Sequence, residues 1–357
     1  MYDLPVLESD WHTAFTGHDW EDIGPIRFAV VGIGSFVKDS MLPAFAASRS
    51  AVPEIFVTSS PEEVEPLAEE YDITEVISYD GFDNGVGTNN YDAAYIATPN
   101  TLHLSPAKSA AKHGKDVLCE KPLAGTVESA REIVASCCQH DVSLCTAYRV
   151  RVKPSIVWAR NALEKGYIGD PVQIHSDASF NLLENGPSNQ WRTSEELAGG
   201  GALVDIGVYP LNTIRYLLDS DPIAVEAREF ERGTLDEVDE HISFRLDCPN
   251  DVTAQCSVNY QAAPTNQLRI IGTEGELTID WPYTPTANAE IRLRRGNQVI
   301  DIHPNEANEL VELLNYFATI VDGDTSEIDT WGGCFDLAAI EAVYEAAGNN
   351  SRITISR

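Results

Sequence analysis

The chain has 357 residues, with 56 acidic side chains against 24 basic ones and a formal net charge of −32 at pH 7. This length accommodates two domains with substantial cores, and a hydrophobic share of 43% is typical of globular rather than disordered proteins. The negative charge makes nucleic acid and anionic membranes poor partners. No run of about 18 apolar residues predicts a membrane span.

The acids are distributed along the whole chain, which argues against a disordered acidic tail. Repulsion of this size destabilises a compact fold in dilute buffer, whereas at molar salt the Debye length falls to about 3 Å and screens it. The composition favours a halophilic protein of a salt-rich cytoplasm, as in haloarchaea; an acidic protein of a low-salt cell is the alternative. Residues 1–25 lack the features of a signal peptide, and seven cysteines without a C-x-x-C pair suit a reducing compartment. We therefore expect a cytoplasmic location.

In chain order, residues 1–25 have turn signals without a clear period, and we expect an N-terminal arm whose Trp11 and Trp20 pack on this protomer or a neighbouring one. Strands and helices then alternate strictly over residues 26–148. Strands are predicted at 26–31, 54–58, 75–78, 93–98, 117–119 and 142–147. Helices are predicted around 41–46 and at 61–71, 102–113 and 126–139. Such alternation is typical of a parallel, doubly wound Rossmann sheet.

The pattern changes after Arg149, where helices are predicted at 153–166, 203–217, 306–321 and 332–347. Strand-like segments occur at 172–180, 223–230, 239–247, 252–260, 267–272, 276–281 and 289–294. The fold class is therefore α/β, with residues 26–148 binding a dinucleotide and residues 149–357 forming an α/β domain with a large, open, mostly antiparallel sheet. Its last helix has room to pack back on the first domain. An uncovered sheet would expose an apolar face, so we expect a dimer or tetramer formed through it.

Gly32-x-Gly34-x-x-Val37 stands between the first strand and the first helix, the context of a dinucleotide-binding fingerprint. The first glycine permits a tight turn, the second lets the pyrophosphate approach the backbone, and the helix N-terminus favours its charge. Val37 replaces the usual Gly or Ala, so we expect looser packing of helix on strand there. A purely structural turn is the alternative. Three neighbours are further candidate cofactor contacts: Ser35, Phe36 and Lys38.

The choice between NAD and NADP depends on the end of the second strand, where an acid would bind the ribose hydroxyl and repel a 2′-phosphate. Glu54 is the acid nearest the expected spacing, but it is predicted to start the strand, at the wrong end. The strand ends in Thr58-Ser59-Ser60, whose hydroxyls and amides can donate to a phosphate, and Lys38 could add charge. The sequence therefore favours NADP.

The stretch Asp116–Leu123 predicts a strand that ends at Glu120-Lys121-Pro122. Because Pro122 forces a turn, Lys121 is expected at the carboxyl edge of the sheet, where open α/β sheets bind ligands. Its ammonium would be a catalytic group or an anion anchor there, and a surface ion pair with Glu120 is the alternative.

The fourth strand ends in Thr98-Pro99-Asn100, which points to the same cleft. His103 follows and is a candidate cofactor contact, although a structural histidine at a helix start is the more common case. A second signal is the glycine run 199–201, which enters a helix. It has no following Lys-Ser/Thr, so it is not a P-loop. Asp205, Tyr209 and Asn212 follow at a spacing that places them on one helical face, polar in an otherwise apolar helix.

The fingerprint, E-K-P at 120–122, A-G-G-G-x-x-x-D-I-G-x-Y at 198–209 and the domain order resemble the Gfo/Idh/MocA oxidoreductases across the chain from residue 26. A-Y-R at 147–149, Q-W-R at 190–192 and Y-P-L-N-T-I-R-Y-L-L at 209–218 are most similar to the branch with glucose–fructose oxidoreductase and NADP-dependent D-xylose dehydrogenase. The resemblance implies a sugar bound between the domains, a cis bond before Pro122, and Trp191 and Arg192 near cofactor or sugar. Arg149 is a further candidate for cofactor and sugar. Either arginine could instead form a domain-interface ion pair.

The activity implied by this resemblance is NADP-dependent oxidation of an aldose at C1 to its lactone, with D-xylose as the expected sugar. We assign Tyr209 as acid/base, Lys121 as the group that polarises O1, and Asp205 as the residue that orients sugar hydroxyls. Burial and a positive nicotinamide ring are expected to lower the pKa of Lys121 from its reference value of about 10.4. Three loop amides are candidates for reading sugar hydroxyls or for ordinary turns: Asn181, Asn185 and Asn189.

Other functions on this fold remain open at this point. One is an inositol or glucose dehydrogenase, or a glucose–fructose oxidoreductase that keeps its cofactor. A different class is a non-catalytic NADP-binding regulator of sugar metabolism, against which the intact set of Lys121, Asp205 and Tyr209 argues. We predict no metal site.

Overall fold

The computed structural model describes residues 24–185, 191–230, 233–285, 289–304, 307–323 and 330–356. These ranges contain a six-stranded and a nine-stranded sheet, as the α/β prediction requires. Apart from residues 24 and 25, the expected N-terminal arm lies outside the described residues. None of the helices in the described ranges has the length and apolarity needed to cross a membrane.

The six-stranded sheet is parallel throughout, with the strand order β3-β2-β1-β4-β5-β6. Its strands are β1 Ile26–Val31, β2 Ala51–Val57, β3 Glu75–Ile77, β4 Ala93–Ile96, β5 Asp116–Cys119 and β6 Leu144–Thr146. Helices on both faces bury the continuous apolar runs of the central strands, as in other parallel sheets. The strand order reverses between β1 and β4, and ligands bind at the carboxyl ends of strands at such a point. The predicted Rossmann fold is confirmed.

The helices of this half are α1 Leu42–Ala47, α2 Pro61–Glu70, α3 Tyr79–Asp83, α4 Leu104–Lys112 and α5 Val127–His140. Helix α3 was not predicted. A π-helical turn, Val37–Met41, precedes α1 and falls where the fingerprint has valine. Strand β2 begins at Ala51, so Glu54 lies within the strand rather than at its start, and its carboxylate accepts a hydrogen bond from Thr74 Oγ1 at 2.5 Å.

The nine-stranded sheet has the order β14-β13-β12-β11-β7-β10-β9-β8-β15. Only β7 and β10 pair in parallel among its described strands, so the predicted mostly antiparallel sheet is confirmed. The strands are β7 Pro171–Ser179, β8 Ala224–Glu229, β9 His241–Asp247, β10 Thr253–Asn259, β11 Thr265–Gly272, β12 Gly275–Asp280, β13 Glu290–Arg295, β14 Gln298–Ile302 and β15 Ile353–Thr354. The last two are short edge strands that the sequence pattern did not predict.

One face of this sheet is apolar and covered, and the other is polar. Alternate residues such as Ile242, Phe244 and Leu246 are buried. They face the layer formed by a π-helical turn, Leu203–Gly207, and the helices α6 Pro154–Glu164 and α8 Val208–Leu218. The outer face instead carries cross-strand pairs of arginines with acids: Arg245 with Glu226, Arg294 with Glu276, and Arg292 with Asp301. The expectation of an exposed apolar face was therefore wrong.

The C-terminal helices return to the Rossmann half. Helix α9, Glu309–Val321, begins at the cap residue Asn308 and packs its apolar side against the first sheet, where the rings of Phe317 and Phe28 are 5.6 Å apart. Helix α10, Gly332–Asn349, contacts the start of α5 through Glu341, which accepts a hydrogen bond from Val127 N at 3.2 Å. A short helix, α7 Glu195–Ala198, leads into the glycine run.

Candidate active site

A cavity of about 1000 Å³ lies at the carboxyl ends of the Rossmann strands and is closed on its other side by the second sheet. Of the residues assigned from the sequence to catalysis or to cofactor binding, all but one line it. They are Gly32, Gly34, Ser35, Phe36, Val37, Lys38, Ser59, Ser60, Thr98, Pro99, Asn100, Glu120, Lys121, Arg149, Trp191, Arg192, Asp205 and Tyr209. The exception is His103. The lining offers polar groups that could hold a dinucleotide and a small sugar.

The glycine turn after β1 has the geometry that a dinucleotide requires. Gly32 has a φ of +90°, and a Cβ there would lie 2.9 Å from the backbone oxygen of Ala97, so a side chain is excluded. Gly34 has no atom within 4 Å of its Cβ position, which leaves its backbone open to a ligand. These glycines and the following helical turn fit a pyrophosphate.

His103 has a structural role. Its ring is fully buried, with Nε2 2.9 Å from the backbone oxygen of Thr98 and Nδ1 3.1 Å from that of Pro122. Burial lowers the pKa of His103, which favours the neutral ring. The imidazole thus ties the end of β4 to the turn after β5, behind the cavity wall, and the expected cofactor contact is not supported.

Lys121 points into the cavity from the turn after β5, and the Lys121–Pro122 bond is cis, as the resemblance implied. Its ammonium Nζ donates to Asp205 Oδ1 at 3.0 Å and to the backbone oxygen of Asp205 at 2.6 Å. Glu120 is engaged elsewhere, because its carboxylate accepts a hydrogen bond from Tyr95 OH at 2.8 Å. The alternative of a surface pair between Lys121 and Glu120 is therefore wrong.

The pKa of Lys121 is shifted in the direction opposite to the one expected. Burial lowers its pKa, but Asp205 and Tyr209 outweigh burial, and the pKa of Lys121 is raised above its usual value. The expectation from the sequence took account of the burial of Lys121 but not of the Asp205 carboxylate, which comes from the other domain. Lys121 is thus an ammonium at neutral pH, suited to donating a hydrogen bond rather than to removing a proton.

Asp205 is the centre of the polar network in the cavity. Its Oδ2 accepts from Tyr260 OH at 2.9 Å and from Arg192 Nε at 3.2 Å, while Oδ1 faces Lys121. Burial raises the pKa of Asp205, but the charges of Lys121 and Arg192 more than reverse this and hold it well below its usual range. Asp205 is therefore ionised under all ordinary conditions.

Tyr209 lies beside Lys121 with its ring facing two cations. Lys121 Nζ is 4.6 Å and Arg149 Cζ 4.9 Å from the ring centroid, and the ring of Tyr283 stacks on Tyr209 at 6.1 Å. Arg149 also forms an ion pair with Glu309 of α9, so the interface pair that the sequence left open does occur. Arg192, in turn, stacks over the ring of Trp191 at 4.5 Å.

The glycine run is fixed by a carboxylate from the second sheet. Asp239 accepts hydrogen bonds from Gly201 N at 2.6 Å, Leu203 N at 2.8 Å and Tyr344 OH at 2.5 Å. Asn100 donates to the backbone oxygen of Ala198 at 2.8 Å, which joins the run to the Rossmann edge. The start of the helix that carries Asp205 and Tyr209 is thereby held at the domain boundary.

Asn212 does not extend the polar face of Asp205 and Tyr209 into the cavity. It is fully buried and donates to Asp336 Oδ2 of α10 at 2.7 Å. Asn181 does not line the cavity, the side chain of Asn185 is not described, and Asn189 lies outside the described residues.

Several site residues were missed by sequence reasoning. Tyr260 and Tyr283 contact Asp205 and Tyr209, and Tyr79, Glu63 and Val64 line the far end of the cavity near Ser59 and Ser60. Tyr260 follows a predicted strand and Tyr283 follows Trp281-Pro282, a turn signal. A strand or turn pattern predicts that a residue lies at the end of a strand. It does not predict whether that end of the strand faces the other domain.

Comparisons with known proteins extend these observations. Residues 26–148 match the model of an oxidoreductase family with an NAD-binding Rossmann fold, and residues 156–278 match that of a GFO/IDH/MocA C-terminal domain. The D-xylose 1-dehydrogenase [NADP(+)] of Haloarcula marismortui is 34% identical over 350 residues, 96% of this chain and 97% of that protein. The D-xylose 1-dehydrogenase (NADP(+)) 2 of Haloferax volcanii is 26% identical over 333 residues, 92% of this chain and 100% of that protein.

A solved structure shows the same architecture. The aldose–aldose oxidoreductase from Caulobacter crescentus, complexed with glycerol, superposes with a TM-score of 0.86 at 31% identity, covering 92% of this chain and 99% of that one. The matched models span both halves of the chain, and one cavity is lined by the fingerprint, by Lys121 of the E-K-P turn, and by Asp205 and Tyr209, which follow the glycine run. The chain is therefore a member of the Gfo/Idh/MocA family, an oxidoreductase whose Rossmann domain binds NAD(P).

Proposed function

We propose that this oxidoreductase acts on the CH–OH groups of sugars, and that its reaction is the NADP-dependent oxidation of D-xylose at C1 to D-xylonolactone. The observation that carries the proposal is the convergence of Lys121, Asp205 and Tyr209 at the carboxyl end of β5, beside the glycine turn. The names of the two haloarchaeal relatives support the choice of sugar and cofactor.

Lys121, Tyr209 and Asp205 have different roles in removing the hydroxyl proton of the sugar. The bound dinucleotide supplies the hydride acceptor. Lys121, held as an ammonium by Asp205, donates a hydrogen bond to the sugar O1 and stabilises developing negative charge there. Tyr209 accepts the hydroxyl proton on its phenolate oxygen. Asp205 orients Lys121 and Arg192 and offers its oxygens to neighbouring sugar hydroxyls.

The preference for NADP is proposed from the cavity end near β2. Thr58, Ser59, Ser60 and Lys38 line that end, and Lys38 forms no ion pair within the described part of the chain. Glu54 is turned to Thr74 and is not among the lining residues. Glu63 also lines this end and is the one feature that would favour NAD. Lys38→Ala should reduce kcat/KM for NADP and leave that for NAD almost unchanged.

A second candidate is aldose–aldose oxidoreduction, in which one aldose is oxidised and another reduced on a retained cofactor. The observation in its favour is the similarity to the Caulobacter crescentus protein along almost the whole of both chains. The two candidates differ in whether free NADPH accumulates. Enzyme that has been filtered to remove unbound nucleotide is assayed without added NADP. It should be inactive if the protein is a D-xylose dehydrogenase, and it should convert a pair of aldoses if the protein is an aldose–aldose oxidoreductase.

We also propose self-association through the outer face of the nine-stranded sheet. The chain as a whole is strongly acidic, whereas this face pairs arginines with acids and so would not repel a second copy. A salt-rich cytoplasm is the proposed setting. Light scattering in molar KCl should give a dimer or tetramer, and a monomer would refute this part.

The test of the main proposal is a panel of pentoses and hexoses assayed with NADP and with NAD in molar KCl. We expect NADPH formation with D-xylose at the highest kcat/KM of the panel. A higher value for inositol or glucose would assign a different substrate. If NADP binds but no sugar gives NADPH and no pair of aldoses is interconverted, the protein is a regulator rather than an enzyme.

A further inference from the structure

The ring of Tyr209 lies within 5 Å of two buried cations that come from different elements. Lys121 follows β5, and Arg149 opens the short helical turn Arg149–Val152 after β6. Burial lowers the pKa of each, but neighbouring side chains outweigh it and raise the pKa of both Lys121 and Arg149. A phenolate at Tyr209 would therefore face two permanent positive charges.

Arg149 is rigidly held. Its side chain is 10% exposed, Nη1 donates to Glu309 Oε1, and Nη2 donates to the backbone oxygen of Tyr283 at 2.9 Å. Arg149 is thus fixed by α9 and by the loop that carries the ring stacked on Tyr209. A lysine could not make both contacts with one planar group.

Glu309 is buried at the first position of α9, where the helix dipole favours a negative charge. Its Oε2 is buried without a hydrogen-bond partner in the described residues. Burying a charged pair is costly, and packing of α9 on the sheet by apolar residues does not require one here. Packing of α9 on the sheet therefore does not explain the buried ion pair between Arg149 and Glu309.

We propose that Arg149 acts through Tyr209 by stabilising its phenolate, and that Glu309 is the positioning residue that aims Arg149 at the ring. The inference rests on the proposed function, in which Tyr209 handles the proton. In that step the sugar O–H bond breaks, its proton forms a new O–H bond with the phenolate oxygen, and Tyr209 becomes neutral while negative charge moves to the sugar oxygen. Arg149 thus helps to hold Tyr209 as the phenolate that accepts the proton, together with the charges of Lys121 and Arg192.

Arg149→Gln should move the alkaline rise of kcat/KM for sugar oxidation to higher pH. One unit charge at about 5 Å with an effective dielectric constant of about 20 corresponds to roughly 2 pH units. At high pH the variant should regain much of its rate, because the phenolate forms there without help. Arg149→Lys retains the charge but not both contacts, and should therefore shift the profile less than Arg149→Gln does.

Two further variants separate charge from structure. Arg215→Gln removes another buried arginine, which pairs with Asp336 at 2.9 Å outside the cavity, and should reduce stability without moving the profile. Glu309→Gln keeps an acceptor for Arg149 but removes a negative charge, so its profile should not move to higher pH. A shift there equal to that of Arg149→Gln would mean that the charge of Glu309, and not only its acceptor oxygen, is needed to aim Arg149 at the ring.

A second readout does not need turnover. The near-ultraviolet absorbance of phenolate, taken as the difference between a protein and its Tyr209→Phe variant, follows the ionisation of Tyr209 alone. We expect this titration to move to higher pH in Arg149→Gln. If the wild type oxidises no sugar, the proposed function fails while the titration still tests Arg149. If Arg149→Gln leaves the titration and the profile unmoved, or only raises KM for NADP, the inference is overturned.

Discussion

Lys121 and Asp205 are joined twice: the lysine Nζ donates to the carboxylate Oδ1 at 3.0 Å and to the backbone oxygen of the same aspartate at 2.6 Å. The two residues are 84 positions apart and come from the two halves of the chain. The contact with the carboxylate stabilises the positive charge of Lys121, and the contact with the backbone oxygen fixes the direction of its side chain. The ammonium therefore has a defined orientation in the cavity.

Removing the ammonium of Lys121 or the hydroxyl of Tyr209 should abolish most of the activity. We expect Lys121→Ala and Tyr209→Phe each to reduce kcat/KM about 100-fold or more, a loss of at least ~2.7 kcal/mol of transition-state stabilisation. The measurement is initial rate against sugar concentration at saturating NADP. Unchanged thermal unfolding would show that each variant is folded, and near-wild-type turnover in either would refute its role.

The stability of the protein should depend on Asp205 in a pH-dependent way. Burial raises the pKa of Asp205 in the folded protein, but Lys121 and Arg192 outweigh burial and lower it. The contribution of Asp205 to the free energy of unfolding is therefore complete above the unfolded pKa of about 3.9, and it is lost as the pH falls through the folded pKa. Asp205→Asn should reduce the free energy of unfolding by about 2 kcal/mol at neutral pH, because two cations lose their partner.

This difference is measured by denaturant unfolding of wild type and Asp205→Asn at constant high salt. The two curves should run parallel above about pH 5 and converge as the solution becomes more acidic. A gap that stays constant into the acid range would mean that Asp205 is not held as a carboxylate by its neighbours.

A side chain at Gly201 should disturb both folding and catalysis. A Cβ there would lie 2.1 Å from the backbone oxygen of Asp239, so the run that precedes Asp205 must shift. We expect Gly201→Ala to destabilise the protein by about 2 kcal/mol or more and to lower kcat/KM for the sugar.

The matched control is Gly348→Ala in α10, where a Cβ meets no atom within 4 Å. It should leave kcat/KM unchanged and raise stability slightly, because alanine is the better helix former. Equal behaviour of the two variants would contradict the steric account of Gly201.

Salt should stabilise the folded chain. With a formal net charge of −32, repulsion between surface carboxylates weakens as ions screen it. We expect the thermal unfolding midpoint to rise between about 0.1 M and about 2 M KCl. If the midpoint does not rise, the acidic composition is not an adaptation to salt.

Local pattern was sufficient to predict the Rossmann half. Buried runs such as Ile26–Val31, short loops and a glycine turn between strand and helix specify a parallel sheet, and the turn after β5 places Lys121 at its carboxyl edge. These features depend on neighbouring residues in the chain, so sequence alone determines them. Local spacing did not predict that Asn212 is buried, because its partner Asp336 comes from α10, 124 positions away.

Contacts between distant segments could only be decided by the tertiary structure. The pKa of Lys121 is raised rather than lowered because Asp205 arrives from the second half of the chain, and His103 is turned inward by backbone oxygens on two different turns. The pairing of Arg149 with Glu309 joins residues 160 positions apart. Electrostatic interactions depend on distance in space, which the sequence does not encode locally. The sequence therefore determined most of the groups that the site contains, and the packing of the two halves decided their charge states, their partners and the further residues that join them.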